Sequence, residues 1–195
     1  RFKDENGNDF PDWKEKRLGE VLVESKERTS VNNQHPILSS SRGGIVFQDE
    51  YFNHQTASED NTGYKVIRRG QFTYRSMSDT GDFFFNIQEV TDCGIVSPAY
   101  PVFSIEEKQI SKFVWSSMNF APELKRQILM MKSGGTRLAL PFSRLCQMTI
   151  VLPSPNEQRK IADFLSALDR KIELVGRELE QAKTFKKGLL QQMFV

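Results

Sequence analysis

Ile161, Leu165, Leu168, Ile172, Val175, Leu179, Ala182, Lys186, Leu189 and Met193 follow one another in alternating steps of four and three, and nine of the ten are apolar. This is a heptad seam running over 33 residues, the pattern of a helix that pairs with another helix. Ser154-Pro155-Asn156-Glu157 stands in front of it: a capping serine, proline at the first helical position and glutamate three residues after the cap. At 1.5 Å per residue, a helix from Pro155 to Met193 is about 58 Å long and outreaches a domain of roughly 150 residues. Its far end is expected to leave the globule. The exposed seam then requires a helix from elsewhere in the polypeptide, a second copy or another protein, and the plainer alternative is a helix folded back across its own domain. Gly176 lies off the seam and does not break it.

The rest of the chain reads differently. Short runs rich in β-branched and aromatic residues, Gly44 to Phe47, Tyr64 to Arg68, Phe72 to Arg75, Phe83 to Ile87, Ala99 to Ile105 and Met148 to Leu152, are bounded by Gly, Pro, Asp and Ser and predict strands. Residues 1 to 20 predict an irregular arm pinned by Phe10, Trp13 and Leu18. Between Asn32 and Gly63 only Ile45, Val46, Phe47, Tyr51 and Phe52 offer much to bury, which predicts long loops. Ser104-Ile105-Glu106-Glu107 has capping-box spacing, with Ile110, Phe113, Val114 and Met118 on one face after it. A second helix is expected from Pro122, with Leu124, Ile128 and Leu129 apolar and Gly134-Gly135 ending it. Strands and helices without a βαβ rhythm predict an α+β fold. The expected division is a globular domain over residues 1–153, with mixed strands and short helices, and a long coiled-coil helix over 154–195.

The net charge of +2 hides an uneven distribution. Residues 1–60 carry a net −4, residues 61–150 a net +4 and residues 151–195 a net +2. Lys65, Arg68, Arg69 and Arg75 have no acid among them, and five basic residues without Asp or Glu lie between Leu124 and Asn156. Two such stretches point to a polyanion, unless the balancing acids come from elsewhere in the fold.

Chemistry-bearing motifs are sparse. Cys93 and Cys146 lack ligand-spaced companions and read as buried free thiols. His35 and His54 sit in polar loops and read as surface residues. Phosphate-loop, dinucleotide-turn and nucleophile-elbow patterns are missing. Pro11-Asp12 with Glu24-Ser25-Lys26 nominally fits a Mg²⁺-dependent nuclease arrangement, but Glu-x-Lys also arises by chance, and Glu106-Glu107-Lys108 repeats it. No apolar run spans a bilayer and Arg1-Phe2-Lys3-Asp4-Glu5 is unlike a secretory signal, so a cytoplasmic protein is expected.

Four stretches together resemble the specificity subunits of type I restriction-modification enzymes. Trp13-Lys14-Glu15-Lys16-Arg17-Leu18-Gly19-Glu20-Val21 is similar to the family's domain opening. Tyr64-Lys65-Val66-Ile67-Arg68-Arg69-Gly70-Gln71-Phe72-Thr73-Tyr74 resembles its central strand pair, and Gly94-Ile95-Val96-Ser97-Pro98-Ala99-Tyr100-Pro101-Val102-Phe103 its internal motif. Leu152-Pro153-Ser154-Pro155-Asn156-Glu157-Gln158-Arg159-Lys160-Ile161-Ala162, with Leu165, Leu168 and Asp169 and then Lys187-Gly188-Leu189-Leu190-Gln191-Gln192-Met193-Phe194, resembles its long helix. The resemblance implies a non-catalytic target-recognition domain that reads one half of a split double-stranded DNA site, and a helix that acts as spacer and docks methyltransferase subunits and, through them, restriction subunits. Family members usually hold two such units whose helices pack antiparallel. This chain opens without methionine on Arg1-Phe2-Lys3-Asp4, as a processed product, a recombinant piece or one part of a longer polypeptide would, and the opening is similar to the entry into a second unit. An isolated half is therefore expected to form a two-fold dimer through Ile161, Leu165, Leu168, Ile172, Val175, Leu179, Leu189 and Met193.

Candidate DNA contacts are Arg42 in the Ser39-Ser40-Ser41-Arg42-Gly43-Gly44 loop, Lys65, Arg68, Arg69, Tyr74, Arg75 and Ser76, and Lys132, Thr136 and Arg137 around the paired glycines. Ser97, Pro98, Ala99 and Tyr100 are expected to be scaffold, and Phe83, Phe84 and Phe85 core. No cofactor is expected in this chain. The competing readings are a coiled-coil docking module that never touches DNA and a metal-dependent nuclease.

Overall fold

The computed structural model describes residues 2–51, 60–107, 110–130 and 137–193. Phe52, His54, Lys108, Lys132, Gly134, Gly135, Thr136 and Phe194, named above, lie outside the described residues. The chain divides into two compact units, one of Arg1–Pro11 with Pro153–Val195 and one of Asp12–Leu152.

In the Asp12–Leu152 unit the strands are β1 (Lys14–Arg17), β2 (Leu22–Glu24), β3 (Leu38–Ser41), β4 (Gly44–Phe47), β5 (Lys65–Arg68), β6 (Phe72–Thr73), β7 (Met77–Ser78), β8 (Asn86–Ile87), β9 (Cys93–Val96), β10 (Val102–Ile105), β11 (Leu138–Ala139) and β12 (Thr149–Leu152). The helices are α1 (Gln48–Tyr51), α2 (Ser111–Phe120), α3 (Pro122–Met130) and α4 (Phe142–Leu145). Among the described residues the strand ladders are antiparallel: β2-β10-β6-β8 form one sheet, and β1-β12, β3-β4, β5-β9 and β7-β11 pair two by two, with one isolated parallel bridge from Ile37 to Ile95. Antiparallel ladders with short helices at their ends make an α+β fold.

Two apolar clusters hold it together. Around the four-stranded sheet, Phe72 stacks on Phe103 at 5.6 Å, Tyr74 meets Phe85 at 4.9 Å and Phe142 meets Phe103 at 5.5 Å between ring centroids. The other cluster joins the β3–β4 hairpin to β5, β9 and β10 through Leu38, Ile45, Ile67, Val96 and Val102, with Phe47 and Tyr100 at its edge. Gly94 is the tight point between hairpin and β9. A Cβ there would overlap the Leu38 side chain, 2.8 Å from its Cγ and 3.3 Å from the Pro36 carbonyl oxygen. Gly94→Ala is accordingly expected to destabilise the domain by about 1–3 kcal/mol through overpacking. Thermal unfolding followed by circular dichroism checks this, and an unchanged midpoint would show that the hairpin yields freely.

Several expectations need correction. The arm is not irregular throughout, because Lys14–Arg17 pairs with Leu152–Thr149 through backbone alone, and no apolar alternation announces it. Leu18 then anchors in the core, its N–H donating to the Met148 carbonyl at 2.8 Å. Ser104 does not cap a helix. Ser104 and Ile105 pair with Val23 and Leu22, the Glu106 N–H continues the ladder to the Val21 carbonyl at 3.0 Å, and α2 begins only at Ser111. The expected buried face survives that shift, since Ile110, Phe113, Val114 and Met118 are all buried. In α3, Leu124 and Ile128 are buried while Leu129 is exposed. Phe84 is exposed between buried Phe83 and Phe85, because neighbours in extended chain face opposite ways.

The other unit contains α5 (Pro155–Met193), 39 residues long. Ser154 starts it as expected, its Oγ accepting the Glu157 N–H at 3.4 Å and its carbonyl the Gln158 N–H at 2.9 Å. The N-terminal segment packs on the first turns, with Phe2 edge-on to Phe164 at 5.4 Å and the Lys160 ammonium donating to the Lys3 carbonyl at 2.5 Å. Beyond these turns the seam is open: Leu168, Ile172, Val175, Leu179, Leu189 and Met193 are all exposed.

Candidate nucleic-acid interface

Ser41 and Gly44 face each other as the last pair of the β3–β4 ladder, which leaves Arg42 and Gly43 as its two-residue tip. Gly44 has φ +121°, a conformation that favours glycine. Ser41 locks the turn through its own side chain, Oγ donating to the Gly44 carbonyl at 2.9 Å and accepting the Gly43 N–H at 3.1 Å. Asn86 clamps the hairpin from the side, its Nδ2 donating to Ser40 Oγ at 2.9 Å and to the Ser41 carbonyl at 2.7 Å. The Arg42 guanidinium is thereby set over the exposed Phe84 ring, 5.8 Å from its centroid, a cation–π distance.

Below Arg42 opens a cleft of about 320 Å³ lined by the Ser39–Ser41 run, Arg75, Ser78, Thr80, Phe84 and Tyr100, among others. A smaller recess of about 120 Å³ adjoins it and shares Arg75, Met77, Asp79 and Tyr100, adding Ser76 and Arg137. Two carboxylates lie here, and both are engaged. Arg137 Nε pairs with Asp79 at 2.8 Å, and the Lys125 ammonium with Asp82 at 2.7 Å. Hydrogen bonds from Lys125 and Thr80 hold the Asp82 carboxyl below the usual range, so it stays ionised. Arg42 and Arg75 are exposed and, among the described residues, have no carboxylate within ion-pair distance. The cleft is therefore cationic, with hydroxyls and an aromatic face between the charges.

The structure brings Arg42, Arg75, Ser76 and Arg137 together around these two recesses, whereas Lys65, Arg68 and Arg69 line neither. Arg68 is gripped on two sides by Glu27, at 2.7 and 3.1 Å, which raises its pKa. Arg69 pairs with Asp92 at 2.8 Å and donates to the Glu89 carbonyl at 2.6 Å. The acid-free stretch thus finds its acids elsewhere in the fold. Lys65 is half-buried on β5, and burial lowers its pKa against the opposing pull of Glu24. Tyr74 is a correction: it is fully buried, its hydroxyl donates to the Leu140 carbonyl at 2.9 Å, and burial pushes its pKa far up, so it is a core residue with nothing to offer a groove. Ser76 spends its hydroxyl on the Ala99 carbonyl at 2.7 Å. Phe84, Thr80 and Ser78 were not among the sequence candidates. Only Phe84 carried a signal, the middle place in three consecutive phenylalanines.

Cys93 and Cys146 are free and half-buried, and burial raises both thiols. Among the described residues no three His, Cys, Asp or Glu side chains gather as a metal site. No described helix is long and apolar enough to cross a membrane.

The chain belongs to the family of type I restriction modification DNA specificity domains, whose sequence model matches residues 11–184. It is 24% identical over 179 residues to the type I restriction enzyme HindI specificity subunit of Haemophilus influenzae, a match covering 87% of this chain and 39% of that protein. Among solved structures, it is similar to a chain from a study of complex assembly and conformational transition of the type I R-M system, with TM-score 0.55, 20% identity and coverage of 96% of this chain and 50% of the other. It is similar also to the type I restriction-modification S subunit from M. genitalium, with TM-score 0.50, 14% identity and coverage of 87% and 42%. The HsdS subunit from Thermoanaerobacter tengcongensis matches with TM-score 0.50, 18% identity and coverage of 89% and 42%. These structural likenesses establish a common fold. The match spans 39% to 50% of the length of these proteins.

Proposed function

We propose that this chain reads one half of a split site in double-stranded DNA as the specificity component of a type I restriction-modification complex. The observation that carries the reading is the cleft in which Arg42 and Arg75 stand without carboxylate partners among the described residues, in a chain of the DNA specificity family. Arginines in such a place neutralise phosphates, and those that reach base edges select sequence. Arg137 and Ser76 border the same surface, Lys65, Arg68 and Arg69 are candidates for phosphate contacts farther along, and Lys132 and Thr136 complete the set. The chain itself breaks no bond in this reading. Methyl transfer and cleavage belong to methyltransferase and restriction subunits, the former docked on the long helix.

A second proposal concerns that helix. Its apolar stripe, with Ile172 63% and Val175 53% exposed at mid-length, pairs with the same stripe of a second copy when the chain is alone. Selection from a random duplex library at low salt with the purified chain tests the first reading. Enrichment of a short motif is the expected result, and an inverted repeat at fixed spacing would add support for the dimer. Absence of enrichment would sink the DNA reading in favour of a docking module. Mg²⁺-dependent cleavage of the library, lost in Glu24→Ala, would favour the nuclease.

A further inference from the structure

We propose that Arg42 is the base-reading residue of this surface, presented to a guanine in the major groove by the Phe84 ring beneath it. The inference rests on the DNA reading above and deepens it by separating a base contact from phosphate contacts. Three features single out Arg42. It occupies the tip of a two-stranded ribbon, with Gly43 and Gly44 beside it, and the major groove admits such a ribbon. Its guanidinium lies over an aromatic ring. The contact with the ring holds the guanidinium in place at the exposed tip without using a carboxylate, so N–H donors are left for guanine O6 and N7. The nearby Asp82 stands in its field but is already engaged by Lys125 at 2.7 Å and Thr80 at 3.1 Å.

The presentation is also pre-organised. Leu38 and Ile45 bury the root of the hairpin, at 2% and 7% exposure, while Asn86 holds Ser40 and Ser41. Less ordering then remains to be done on binding. Phe84 is exposed between two buried phenylalanines and, among the described residues, its ring contact is the one with Arg42. It is a positioning residue, acting through Arg42. Arg75 shares the cleft but has no ring contact or hydrogen bond among the described residues, as suits a cation that meets phosphate.

The test repeats the duplex selection with the full chain and with Arg42→Ala, Arg42→Lys and Phe84→Leu. The parent is expected to enrich a motif containing guanine at one defined position. Arg42→Lys keeps the charge but not the two-pronged edge, so it should lose roughly 5- to 150-fold of discrimination at that position alone while its salt dependence stays that of the parent. Arg42→Ala should lose the same preference, and Phe84→Leu part of it with salt dependence unchanged. If all variants keep the parent's motif and bind it uniformly more weakly, Arg42 is a phosphate contact and the inference falls, with the DNA reading intact. If the parent enriches nothing, both fall together.

Discussion

Ile172→Asp combined with Val175→Asp is expected to leave the chain monomeric at concentrations where the parent runs as a two-fold dimer in sedimentation. The two side chains sit at the middle of the seam, 63% and 53% exposed in the single chain. In an antiparallel pair with Ile172 facing Val175 of the second copy, the next layers outward are Leu168 with Leu179, Leu165 with Ala182 and Ile161 with Lys186. Each layer then meets an apolar partner until the seam's one polar residue. The double substitution places four carboxylates in the central layers of the dimer. At even 1.5 kcal/mol each, a low figure for burying an unpaired polar group, pairing weakens by roughly ten-thousandfold. A dimer that survives would place the contact elsewhere.

The same alignment makes a sharper claim about register. Beside the seam run Phe164, Lys171, Glu178 and Phe185, seven residues apart. With Ile172 opposite Val175, Lys171 of each copy lies beside Glu178 of the other, and Phe164 beside Phe185. A slip of one heptad in either direction sets Lys171 against Lys171 or Glu178 against Glu178. Charge on the flanks thus selects one register out of three that the apolar layers alone would tolerate. Lys171→Glu should weaken the pair by roughly tenfold, in line with modest exposed ion pairs, and adding Glu178→Lys should restore it. A swap without effect would rule out this alignment while leaving the seam itself in place.

How much of this could be read from the chain alone differs between its parts, for a physical reason. The long helix was legible because its regularity is local: cap, first-turn proline and seam repeat within a few residues. Strands β5, β6, β10 and β12 fall within runs of β-branched and aromatic residues and were legible too, but strands without such a run, resting on distant partners, were not. Lys14–Arg17 is a run of four charged residues that becomes a strand because β12, more than 130 positions away, offers its edge. Cys93–Val96 owes its place to β5 and to Leu38 over Gly94. The candidate site divides likewise. Arg42 was visible as a cation set among serines and glycines, a local signal. That Arg68, Arg69 and Arg137 carry counter-ions 41, 23 and 58 positions away was not. Tyr74 was misread because a tyrosine in a basic stretch looks available until the fold turns it inward to Leu140.

Those counter-ions lead to the expectation for DNA affinity. A cation that already faces a carboxylate releases few condensed ions when it meets a phosphate, whereas an unpaired one contributes fully to the salt dependence. Arg75 is of the second kind, and Arg68, held by Glu27 at 2.7 and 3.1 Å, is of the first. With the motif obtained by selection, Arg75→Ala should reduce the slope of log K against log salt by about 0.9 and leave base preference unchanged. Arg68→Ala should change the slope by much less. Titrations of a labelled duplex at four or five salt concentrations measure both. The result that would reverse the assignment is a larger loss of slope for Arg68→Ala than for Arg75→Ala, because the Glu27 pair would then have to open for DNA and the binding surface would run along β5 instead of the cleft under the hairpin.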